Sequence, residues 1–574
     1  MERSQCGRLP PFWQVLRPHT GAQMNLSLFS RYAFLFLCVA TAVFCLPFLN
    51  HPWVWPLFIV TALLSLIGVR DLRQCEHAVR RNYPILGNIR YMVEGVRPEI
   101  RQYLLESDQE RVPFSRAQRS LVYARAKNQV DDKPFGTLID VYEPGYECIG
   151  HSIRTAAVSD PETFRVSIGG PQCKQPYSAS VFNISAMSFG SLSGNAIQAL
   201  NRGAKLGGFY HDTGEGSIST YHRQHGGDLV WELGSGYFGC RTESGAFDPE
   251  RFAVQARDPQ VKMIEIKLSQ GAKPGHGGIL PGRKVNAEIA STRGVPEGID
   301  CISPASHSAF GTPLELMDFI FRLRELSGGK PVGFKLCIGH PWEFVGIVKA
   351  MLQSGIYPDF IVVDGKEGGT GAAPVEFTNH IGMPLRESLL FVHNVLVGCN
   401  LREHIRIGAS GKIVSAFDIT SVLAMGADWV NSARGFMFAI GCIQSQHCHT
   451  NRCPTGVATQ DPLRQRALVV PDKAERVFSF HRNTVHALAE LLAAAGLSHP
   501  GELGPHHLIR RISSTEIKLF SQLYYFVQPG ALLAKKIDSE FFARIWSMAQ
   551  ADSFEAMPQK TDRGAAQVEE PLIS

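Results

Sequence analysis

The sequence is poor in charge, and no part of it is strongly basic or acidic. Asp, Glu, Lys and Arg make up 19% of its 574 residues and the formal net charge is only +5, whereas about 25% of residues are charged in an average soluble domain. No block of Lys and Arg exceeds a few residues, which argues against nucleic-acid binding. Hydrophobic residues make up 44% and there are 54 glycines, so we expect a Gly-rich enzyme with membrane content.

The sequence also lacks a disulfide pattern and a nucleotide-binding fingerprint. Its thirteen cysteines are mostly scattered between Cys6 and Cys399, which is typical of a reducing compartment. The one Gly-x-Gly-x-x-Gly match, at residues 234–239, is not followed by an amphipathic helix. We therefore interpret it as a chance match in a Gly-rich chain.

Three of the cysteines, Cys442, Cys448 and Cys453, are clustered within twelve residues. Thiolates are the usual ligands of iron–sulfur clusters, and a last cysteine followed by proline, as Cys453 is, recurs in ferredoxins. Because a four-iron cube normally takes a fourth ligand, three thiolates favour a 3Fe-4S cluster. A zinc site that also uses His447 or His449 is the alternative, but the spacing misses the short Cys-to-Cys gaps typical of zinc.

Two uncharged apolar segments, residues 32–49 and 53–69, lie near the N-terminus. Each is close to the minimum length for crossing a bilayer, and the link between them allows only a tight turn. We therefore predict a transmembrane hairpin of two helices at residues 31–70, with a buried core hairpin as the alternative. Flanking arginines place both ends in the cytoplasm, and hence the catalytic part at the cell inner (cytoplasmic) membrane, by the positive-inside rule. These are Arg17 and Arg31 before the hairpin, and Arg70, Arg73, Arg80 and Arg81 after it.

After an Arg-rich connector, short apolar runs alternate with helical patterns over roughly 250 residues. Eight such runs predict a TIM barrel, the α/β fold in which eight parallel strands are each followed by a helix. A doubly wound sheet is the alternative, but it needs a phosphate fingerprint after its first strand. The predicted strands are residues 181–186, 207–212, 263–268, 299–303, 332–337, 359–364, 405–410 and 427–432.

The remaining segments complete the predicted organisation. Residues 474–495 and 516–534 have apolar side chains at helical spacing and are expected to pack on the barrel or on a partner. The polar residues from 553 onward are expected to be disordered. The predicted division is an N-terminal cytoplasmic segment at 1–30, the hairpin at 31–70, a helical connector at 71–135, the barrel with its cysteine loop at 136–470, a C-terminal helical segment at 471–552 and the tail at 553–574.

Glycine-rich segments follow the sixth, seventh and eighth predicted strands. The last two of these loops commonly bind phosphate in TIM barrels, since backbone N–H groups without a Cβ nearby can approach an anion. FMN would fit such a site, although a tight turn is the commoner reason for any one glycine. Lys335, at the end of the fifth strand, would lie over the flavin and stabilise its reduced anion, unless it is ion-paired or solvated. The candidate residues are Gly368, Gly369, Thr370, Gly408, Ser410, Gly411, Arg434 and Gly435.

Three motifs resemble the synthase domain of the glutamate synthase family. They are residues 270–282 (QGAKPGHGGILPG), 368–372 (GGTGA) and 442–460 (CIQSQHCHTNRCPTGVATQ), within a resemblance that covers about residues 130–505. The resemblance implies an FMN-binding TIM barrel with a 3Fe-4S cluster on the three clustered cysteines. It also implies that 2-iminoglutarate, formed from 2-oxoglutarate and ammonia, takes a hydride from reduced FMN to give glutamate, with electrons reaching the flavin through the cluster.

The resemblance assigns roles to further residues. Ala186, Met187 and Ser188, in the SAMSFG segment after the first strand, are similar to a flavin-side loop. Glu215 matches a substrate-side carboxylate that would hold or deprotonate the amine, and Lys273 matches a lysine that binds the oxoacid. An ion pair of Glu215 with Arg223 or Lys273 is the structural alternative. A cation is expected at Lys273 because a 2-oxo dicarboxylate is a dianion.

The sequence departs from the family pattern at the substrate site and at its ends. Ile279 stands where the family usually has Gln, and Tyr237 where it has Arg. Both changes remove polar contacts to a dicarboxylate, which weakens the assignment of 2-oxoglutarate. No glutaminase domain and no long Gly-rich C-terminal domain are recognisable, so the chain resembles the stand-alone, membrane-tethered members. Ammonia is then expected free or from a partner.

Three functional hypotheses follow from the sequence. The first is an oxidoreductase that reduces the imine of 2-oxoglutarate or a related oxoacid with ammonia. The second uses another amine, as an N-methylglutamate synthase does. The third is a membrane-bound flavin and iron–sulfur electron-transfer module without glutamate chemistry. Because no pyridine-nucleotide domain is recognisable, electrons are expected from a partner protein, either an NADPH-oxidising subunit or a ferredoxin.

Overall fold

The computed structural model describes residues 26–74, 76–108, 110 and 113–558, with side chains from residue 32 onward. Most of the predicted N-terminal cytoplasmic segment, Arg17 included, and residues 559–574 of the predicted tail lie outside the described residues. The chain divides into two compact units, one ending at Glu106 and the other starting at Ser107. This division falls within the predicted connector.

All regular secondary structure described in the first unit is helical, and short turns join the helices. Helices Leu26–Cys45 and Trp55–Arg73 pack on each other as a hairpin, and their apolar side chains are largely exposed. Of the described helices, the one at Pro52–Arg73 is long and apolar enough to cross a membrane, while the apolar stretch Tyr32–Phe48 is shorter. The hairpin is therefore not a buried core element, and its insertion into a membrane stays a prediction. Helices Ala78–Asn82 and Gly87–Ile100 follow, with a π-helical turn at Arg101–Leu105.

The second unit is built on a closed barrel of eight parallel strands, which confirms the predicted TIM barrel. Each strand pairs in parallel with the next, and the eighth closes on the first through Ser432 opposite Ile184. The strands are β1 (Phe182–Ile184), β2 (His211–Asp212), β3 (Leu229–Leu233), β4 (Val261–Lys267), β5 (Val332–Leu336), β6 (Phe360–Asp364), β7 (Arg406–Ser410) and β8 (Trp429–Ser432).

One of the eight predicted strands is wrong. Residues 299–303 lie outside the barrel, where Cys301–Ile302 pairs in antiparallel fashion with Ile279–Leu280 as a small hairpin. The missed barrel strand is β3, whose sequence LVWEL carries a charge at Glu232. That charge points into the barrel and is compensated there by an ion pair, a long-range contact that the local pattern does not reveal. Residues 234–239 follow β3 as turns, and the next helix begins only at Pro249, so the Gly-x-Gly-x-x-Gly match opens no helix.

Helices surround the barrel and bury their apolar faces against it. Several begin with a capping box, such as Thr312 with Glu315, in which each side chain accepts a hydrogen bond from the other residue's backbone N–H. The helices of two or more turns are Arg116–Ala126, Gly194–Gly207, Pro249–Ala256, Ala287–Arg293, Pro313–Leu326, Pro341–Ser354, Leu385–Gly398, Ala416–Leu423, Val470–Ala494 and Glu540–Met548. Shorter ones are Thr220–Arg223, Val375–His380, Arg434–Ala439, Pro462–Gln465 and Phe520–Leu523.

The C-terminal segment differs in part from the predicted helices. The pattern at 474–495 is the long helix Val470–Ala494, which packs on helices Gly194–Gly207 and Arg116–Ala126. The pattern at 516–534 forms only the short helix Phe520–Leu523, because residues 517–519 instead extend a small sheet. That sheet pairs Leu508–Arg511 with Glu147–Ile149 on one side and with Ile517–Leu519 on the other.

The amino-terminal end of the barrel is filled with apolar side chains. Tyr210, Val230, Met263, Phe360 and Trp429 form one buried cluster there. The antiparallel strands Arg165–Ile168 and Tyr177–Ser180 close this end and contribute Ile168 and Ala179. Polar inward-facing residues are therefore confined to the opposite end, where TIM barrels carry their sites.

We expect Asp359→Ala to destabilise the barrel strongly. Asp359 is buried and accepts hydrogen bonds from Arg324 at 3.0 Å and from the backbone N–H groups of Val332 and Gly170, both at 2.8 Å. Its removal leaves the buried guanidinium unpaired, at a cost of about 3–5 kcal/mol. The thermal midpoint should fall by several degrees, whereas Asp538→Ala, an exposed change, should leave it in place; equal midpoints would contradict this role.

Candidate active site

The inward-facing residues become charged toward the carboxyl ends of the strands. Along β3 to β6, apolar residues at the closed end give way to Glu232, Glu265, Lys335 and Asp364. Because side chains alternate in direction along a strand, these four residues point into the barrel at one level. They form the floor of the site.

Lys335 is the centre of this floor. Its ammonium forms ion pairs with Glu232 and, at 3.1 Å, with Glu265, and all three side chains are almost completely buried. Burial disfavours the ammonium, but Glu232, Glu265, Asp212 and Asp364 outweigh it and raise the pKa of Lys335 well above its ordinary value. Lys335 is thus the ion-paired lysine that the sequence left as an alternative to a residue over a flavin, and it stays charged.

The carboxylates of the floor outnumber its cation. Oxygens of Asp212, Glu232 and Glu265 lie within 4.8 Å of one another, a spacing that suits a metal ion, but the Lys335 ammonium already lies against Glu232 and Glu265. Burial raises the pKa of Asp212 well above 3.8 and that of Glu265 to about 7; neighbouring carboxylates act in the same direction, and Lys335 opposes both shifts. The floor therefore favours the protonated form of these two carboxyl groups.

Glu215 lies above the floor in the loop after β2. Its carboxylate forms an ion pair with the Lys267 ammonium at 3.0 Å and lies 3.5 Å from the Ser303 hydroxyl. Burial acts to raise its pKa, but Lys267, Arg293 and Lys273 together lower it to about 2. The partner is thus Lys267 at the end of β4, not Arg223, which pairs with Asp258, and not Lys273.

Lys273 lies beside Glu215 without forming an ion pair with it. Its ammonium donates to the Gly277 carbonyl at 3.3 Å. Burial, with a further contribution from Lys267, lowers the pKa of Lys273 although Glu215 opposes the shift. A buried ammonium held by one neutral oxygen can still accept an anion.

A single cavity of about 360 Å³ joins these groups to the cysteine loop. It contains more cations than the motifs indicated, since Lys267, Lys284 and Arg293 also line it. The Lys284 ammonium donates to the Ser191 and Ala458 carbonyls at 3.1 and 3.3 Å. Of the predicted site residues, the cavity is lined by Ala186, Met187, Ser188, Glu215, Lys273, Gly369, Thr370, Arg434, Cys442, Cys448 and Cys453.

The other predicted residues lie behind this lining. Gly408 packs against the Trp429 ring, and a Cβ at Gly408 would lie 2.6 Å from that ring. Similarly, a Cβ at Gly435 would lie 2.6 Å from the Ser432 hydroxyl. These two glycines are explained by close packing as well as by a ligand. Gly368, Ser410, Gly411 and Lys335 likewise do not line the cavity.

The two substrate-side departures have different positions. Ile279 lines the cavity and is 42% exposed. Tyr237 is buried away from it, with its hydroxyl 3.0 Å from His307 Nδ1 and accepting from the Ala309 N–H at 3.1 Å. Of the two positions, only Ile279 can therefore contact a ligand in this cavity.

Two cations lie side by side at the carboxyl ends of β7 and β8. Lys412 and Arg434 both approach the Phe114 ring, at 5.9 and 4.7 Å from its centroid, and neither forms a salt bridge with a carboxylate in the described part of the chain. Burial lowers the pKa of Lys412, and it lowers that of Arg434 to about 10. A Cβ at Gly369 would lie 2.6 Å from Arg434. This pair of cations beside a Cβ-free loop fits a phosphate group.

The cysteine loop presents its three thiols to the same cavity. The Gln444 N–H donates to the Cys442 sulfur at 3.5 Å, and the Thr455 hydroxyl lies 3.5 Å from the Cys453 sulfur. Burial raises the pKa of Cys442 to about 12, while hydrogen bonds from Thr455 and from backbone groups outweigh burial and lower that of Cys453. Such N–H···S bonds are typical around iron–sulfur clusters.

The thiols are too far apart for one zinc ion. Tetrahedral thiolates at about 2.3 Å from zinc lie roughly 3.8 Å from one another. Among the described residues, the acidic trio of the barrel floor is the only group of three metal-ligating side chains within 4.8 Å. In addition, His447 Nδ1 already contacts the Ser445 carbonyl at 2.7 Å. In the described residues, the three thiols are therefore not gathered around one zinc ion.

The barrel and this cavity define an α/β-barrel protein with a charged cavity at the carboxyl ends of its strands. The family model that describes the conserved region in glutamate synthase matches residues 162–498 of this chain. The glutamate synthase large subunit-like protein YerD of Bacillus subtilis is 38% identical over 81% of this chain and 96% of its own length. The archaeal glutamate synthase [NADPH] of Methanocaldococcus jannaschii is 36% identical over 55% of this chain, which spans 59% of that protein.

The chain therefore belongs to the glutamate synthase family, as a large-subunit-like member. Among solved structures, a mutant flavocytochrome b2 with pyruvate bound aligns over 79% of this chain and 91% of its own, with a TM-score of 0.37 and 13% identity. That likeness is too weak to bear on function.

We expect Glu265→Gln to change how stability depends on pH. The pKa of Glu265 is raised from its ordinary 4.5 to about 7 in the folded protein. Its protonated form is therefore favoured by folding, and this stabilisation is full below pH 4.5 and lost as the pH rises toward 7. The neutral amide avoids that loss, so the thermal midpoint of the variant should rise relative to wild type between pH 5 and 8. Glu297→Gln, an exposed change, should run parallel to wild type; a parallel Glu265→Gln curve would refute the raised pKa.

Proposed function

We propose that this protein reduces an imino acid, formed from 2-oxoglutarate or a related oxoacid and ammonia or an amine, to the amino acid. The observation that carries this proposal is the grouping of Lys273, Lys267 and Arg293 around the ionised Glu215 in one cavity. Condensation of the oxo group with ammonia releases water, and the imine then takes up two electrons and two protons to give the amine. The substrate is a dianion and the imine becomes cationic on protonation, so the site must offer both signs of charge.

The cations of the cavity suit the carboxylates of the substrate. In the described part of the chain, the Lys273 and Lys284 ammonium groups donate to carbonyl oxygens, and Arg293 donates to the Phe189 carbonyl at 3.1 Å and to the Cys301 sulfur at 3.7 Å while its Nε has no hydrogen-bond partner. Glu215, which is already paired with Lys267, is the anion near Lys273 and Arg293, so the cations of the cavity exceed the single negative charge of Glu215. An anionic substrate would compensate this excess of positive charge at low cost in desolvation.

Glu215 suits the nitrogen of the substrate. Because its pKa lies at about 2, it is a weak base at neutral pH and would hold a protonated amine or imine by charge and hydrogen bonding. Deprotonation of ammonium is better suited to a group with a raised pKa. Of the two roles considered for Glu215, the structure favours holding the nitrogen.

FMN is the proposed resident flavin, and when bound it would supply the hydride for this reduction. Lys412 and Arg434, with the loops after β6 to β8, would bind its phosphate. Ala186, Met187 and Ser188 would line one side of the flavin ring. Lys335 lies in the barrel floor, ion-paired with the carboxylates of Glu232 and Glu265. The positions of Lys412 and Arg434 support this cofactor, since the two cations lie together and neither forms a salt bridge with a carboxylate among the described residues.

A 3Fe-4S cluster on Cys442, Cys448 and Cys453 is the proposed route by which single electrons reach the flavin. The shared cavity, the spacing of the thiols and the hydrogen bonds to their sulfurs support it. The electrons would come from an NADPH-oxidising subunit or a ferredoxin. The N-terminal hairpin would hold the enzyme at the cytoplasmic face of the cell inner membrane.

An amine other than ammonia is the second candidate, and Ile279 favours it. An apolar side chain that is 42% exposed in a cationic cavity offers contact to an alkyl group, whereas a Gln there would bind a polar one. An N-methylglutamate synthase-like reaction would use such a contact.

We expect Lys273→Met to lower kcat/KM for amino acid formation by about 10²- to 10³-fold, since it removes a cation from the reacting end of the substrate. The assay supplies 2-oxoglutarate, ¹⁵N-ammonium or methylamine, and a chemical reductant, and identifies the product by mass. Lys205→Met, on an exposed helix end, is the matched control. Labelled glutamate supports the first candidate and N-methylglutamate the second. Failure of any oxoacid and amine pair to reoxidise the flavin would favour an electron-transfer module instead.

We expect Cys448→Ser to abolish iron binding while leaving flavin binding in place. The wild-type protein, purified without oxygen, should contain about three irons per chain, and the variant close to none, by metal analysis and absorption. Cys173→Ser, at another partly buried free thiol, should retain the iron. Stoichiometric zinc in the wild-type protein would contradict the cluster.

A further inference from the structure

One helix of the first unit has an apolar face that no described residue covers. Helix Gly87–Ile100 carries Ile89, Met92, Val93, Val96 and Ile100, all between 37% and 64% exposed. Their spacing of three and four residues places them on a single stripe about 100° wide. The π-helical turn that follows continues the exposure, since Tyr103, Leu104 and Leu105 are each more than half exposed.

The opposite side of this helix faces the protein. The Tyr91 ring packs on the His77 ring, with 4.8 Å between centroids, and the Arg80 guanidinium lies 4.3 Å from the Tyr91 centroid. The exposed stripe is therefore the outer face of a helix that is already seated on its own unit.

The start of helix Gly87–Ile100 lies in space beside the last turn of the second hairpin helix. Asp71, in the last turn of helix Trp55–Arg73, accepts hydrogen bonds from the Ile85 N–H at 3.0 Å and from the Asn88 side chain. Ile85 packs with Leu35 and Cys38 of the first hairpin helix. Gly68 allows this close approach, since a Cβ there would lie 3.2 Å from Ile85. The stripe thus starts at the level where Arg70 and Arg73 end the apolar span.

The charges near the stripe are mostly positive. Residues 70–105 contain seven arginines and no lysine, against four acidic residues. On a helical projection, Arg90 and Arg97 flank one edge of the stripe and Glu99 the other, and Arg90 pairs with Glu94 at 3.2 Å in an exposed ion pair. An exposed apolar stripe beside arginines is the composition of a helix that lies in the plane of an anionic membrane surface.

We propose that residues 87–105 form an in-plane membrane helix, with the stripe at the boundary of the acyl chains and the flanking arginines at anionic phospholipid headgroups. The inference rests on the proposed insertion of the hairpin, and it assigns a second, separate contact with the bilayer. The contact depends on lipid charge, unlike the hairpin, which contains no charged residue from 32 to 69.

The test uses the full chain in nanodiscs of phosphatidylcholine and phosphatidylglycerol that carry a lipid with a diazirine near the glycerol. After illumination, labelled peptides are identified by mass spectrometry. We expect labels in residues 87–105 as well as in the hairpin. Replacing all phosphatidylglycerol by phosphatidylcholine should lower the labelling of 87–105 roughly fivefold for each arginine that contacts the surface, and leave the hairpin labels unchanged.

Two matched variants separate the stripe from the rest of the helix. Val96→Asp places a charge in the stripe. Gly95→Asp adds the same charge at the preceding residue, which lies outside the stripe and where a Cβ meets nothing within 4 Å. We expect Val96→Asp to reduce labelling of 87–105 strongly and Gly95→Asp to leave it unchanged.

Three results would overturn the proposal. Labels in the hairpin alone mean that the stripe is covered by protein, either the second unit or another copy of the chain. Equal labelling of the two variants means that the stripe is not the contact. Absence of labels from both segments means that the membrane anchorage itself is wrong, an outcome that the hairpin labels distinguish from the first.

Discussion

The candidate site depends on the ion pairs that Lys335 forms inside the barrel. Three strands each place a charged side chain at the same level, and none of these charges would be tolerated alone in a closed apolar barrel. Lys335 is held by Glu232 and Glu265, and burial raises the pKa values of Asp212 and Glu265, which favours the neutral form of these two carboxyl groups. This arrangement places a floor of negative character beneath the cavity. The cavity walls above it, with Lys267, Lys273 and Arg293, have the opposite sign.

The change of sign between floor and wall explains the state of Glu215. Asp212, Glu265 and Asp364 have raised pKa values because they are buried, with a further contribution from neighbouring carboxylates, whereas Glu215 lies among lysines and an arginine and has a pKa of about 2. Two kinds of buried carboxyl therefore coexist in one cavity, one able to hold a proton and the other fixed as an anion. A reaction that takes up both electrons and protons needs the first kind, and a cationic imine is stabilised by the second.

The sequence allowed the barrel, seven of its strands and part of the cavity lining to be predicted, because these depend on local patterns and on specific motifs. It did not reveal β3, because Glu232 is tolerated only through Lys335, a residue 103 positions away. It also did not reveal that Lys267 pairs with Glu215, that Lys284 and Arg293 line the cavity, or that Lys412 lies beside Arg434. These cations belong to ordinary strands, loops and helix ends, and only the closed barrel brings them together. Tyr237 shows the reverse, since the motif placed it at the substrate but its hydroxyl is bound by His307 and Ala309.

The position of Ile279 separates the choice of substrate from the handling of its nitrogen. Ile279 lies on the two-residue strand that pairs with Cys301–Ile302, and the hydroxyl of Ser303, the residue after that second strand, lies 3.5 Å from Glu215. Gly278, beside Ile279, approaches the Glu215 carboxylate so closely that a Cβ there would collide with it. These two contacts place the small hairpin against Glu215, and neither involves the side chain at 279. A change from Gln to Ile at this position alters the polarity of one wall of the cavity, while the contacts that hold Glu215, Lys267 and Lys273 do not involve this side chain.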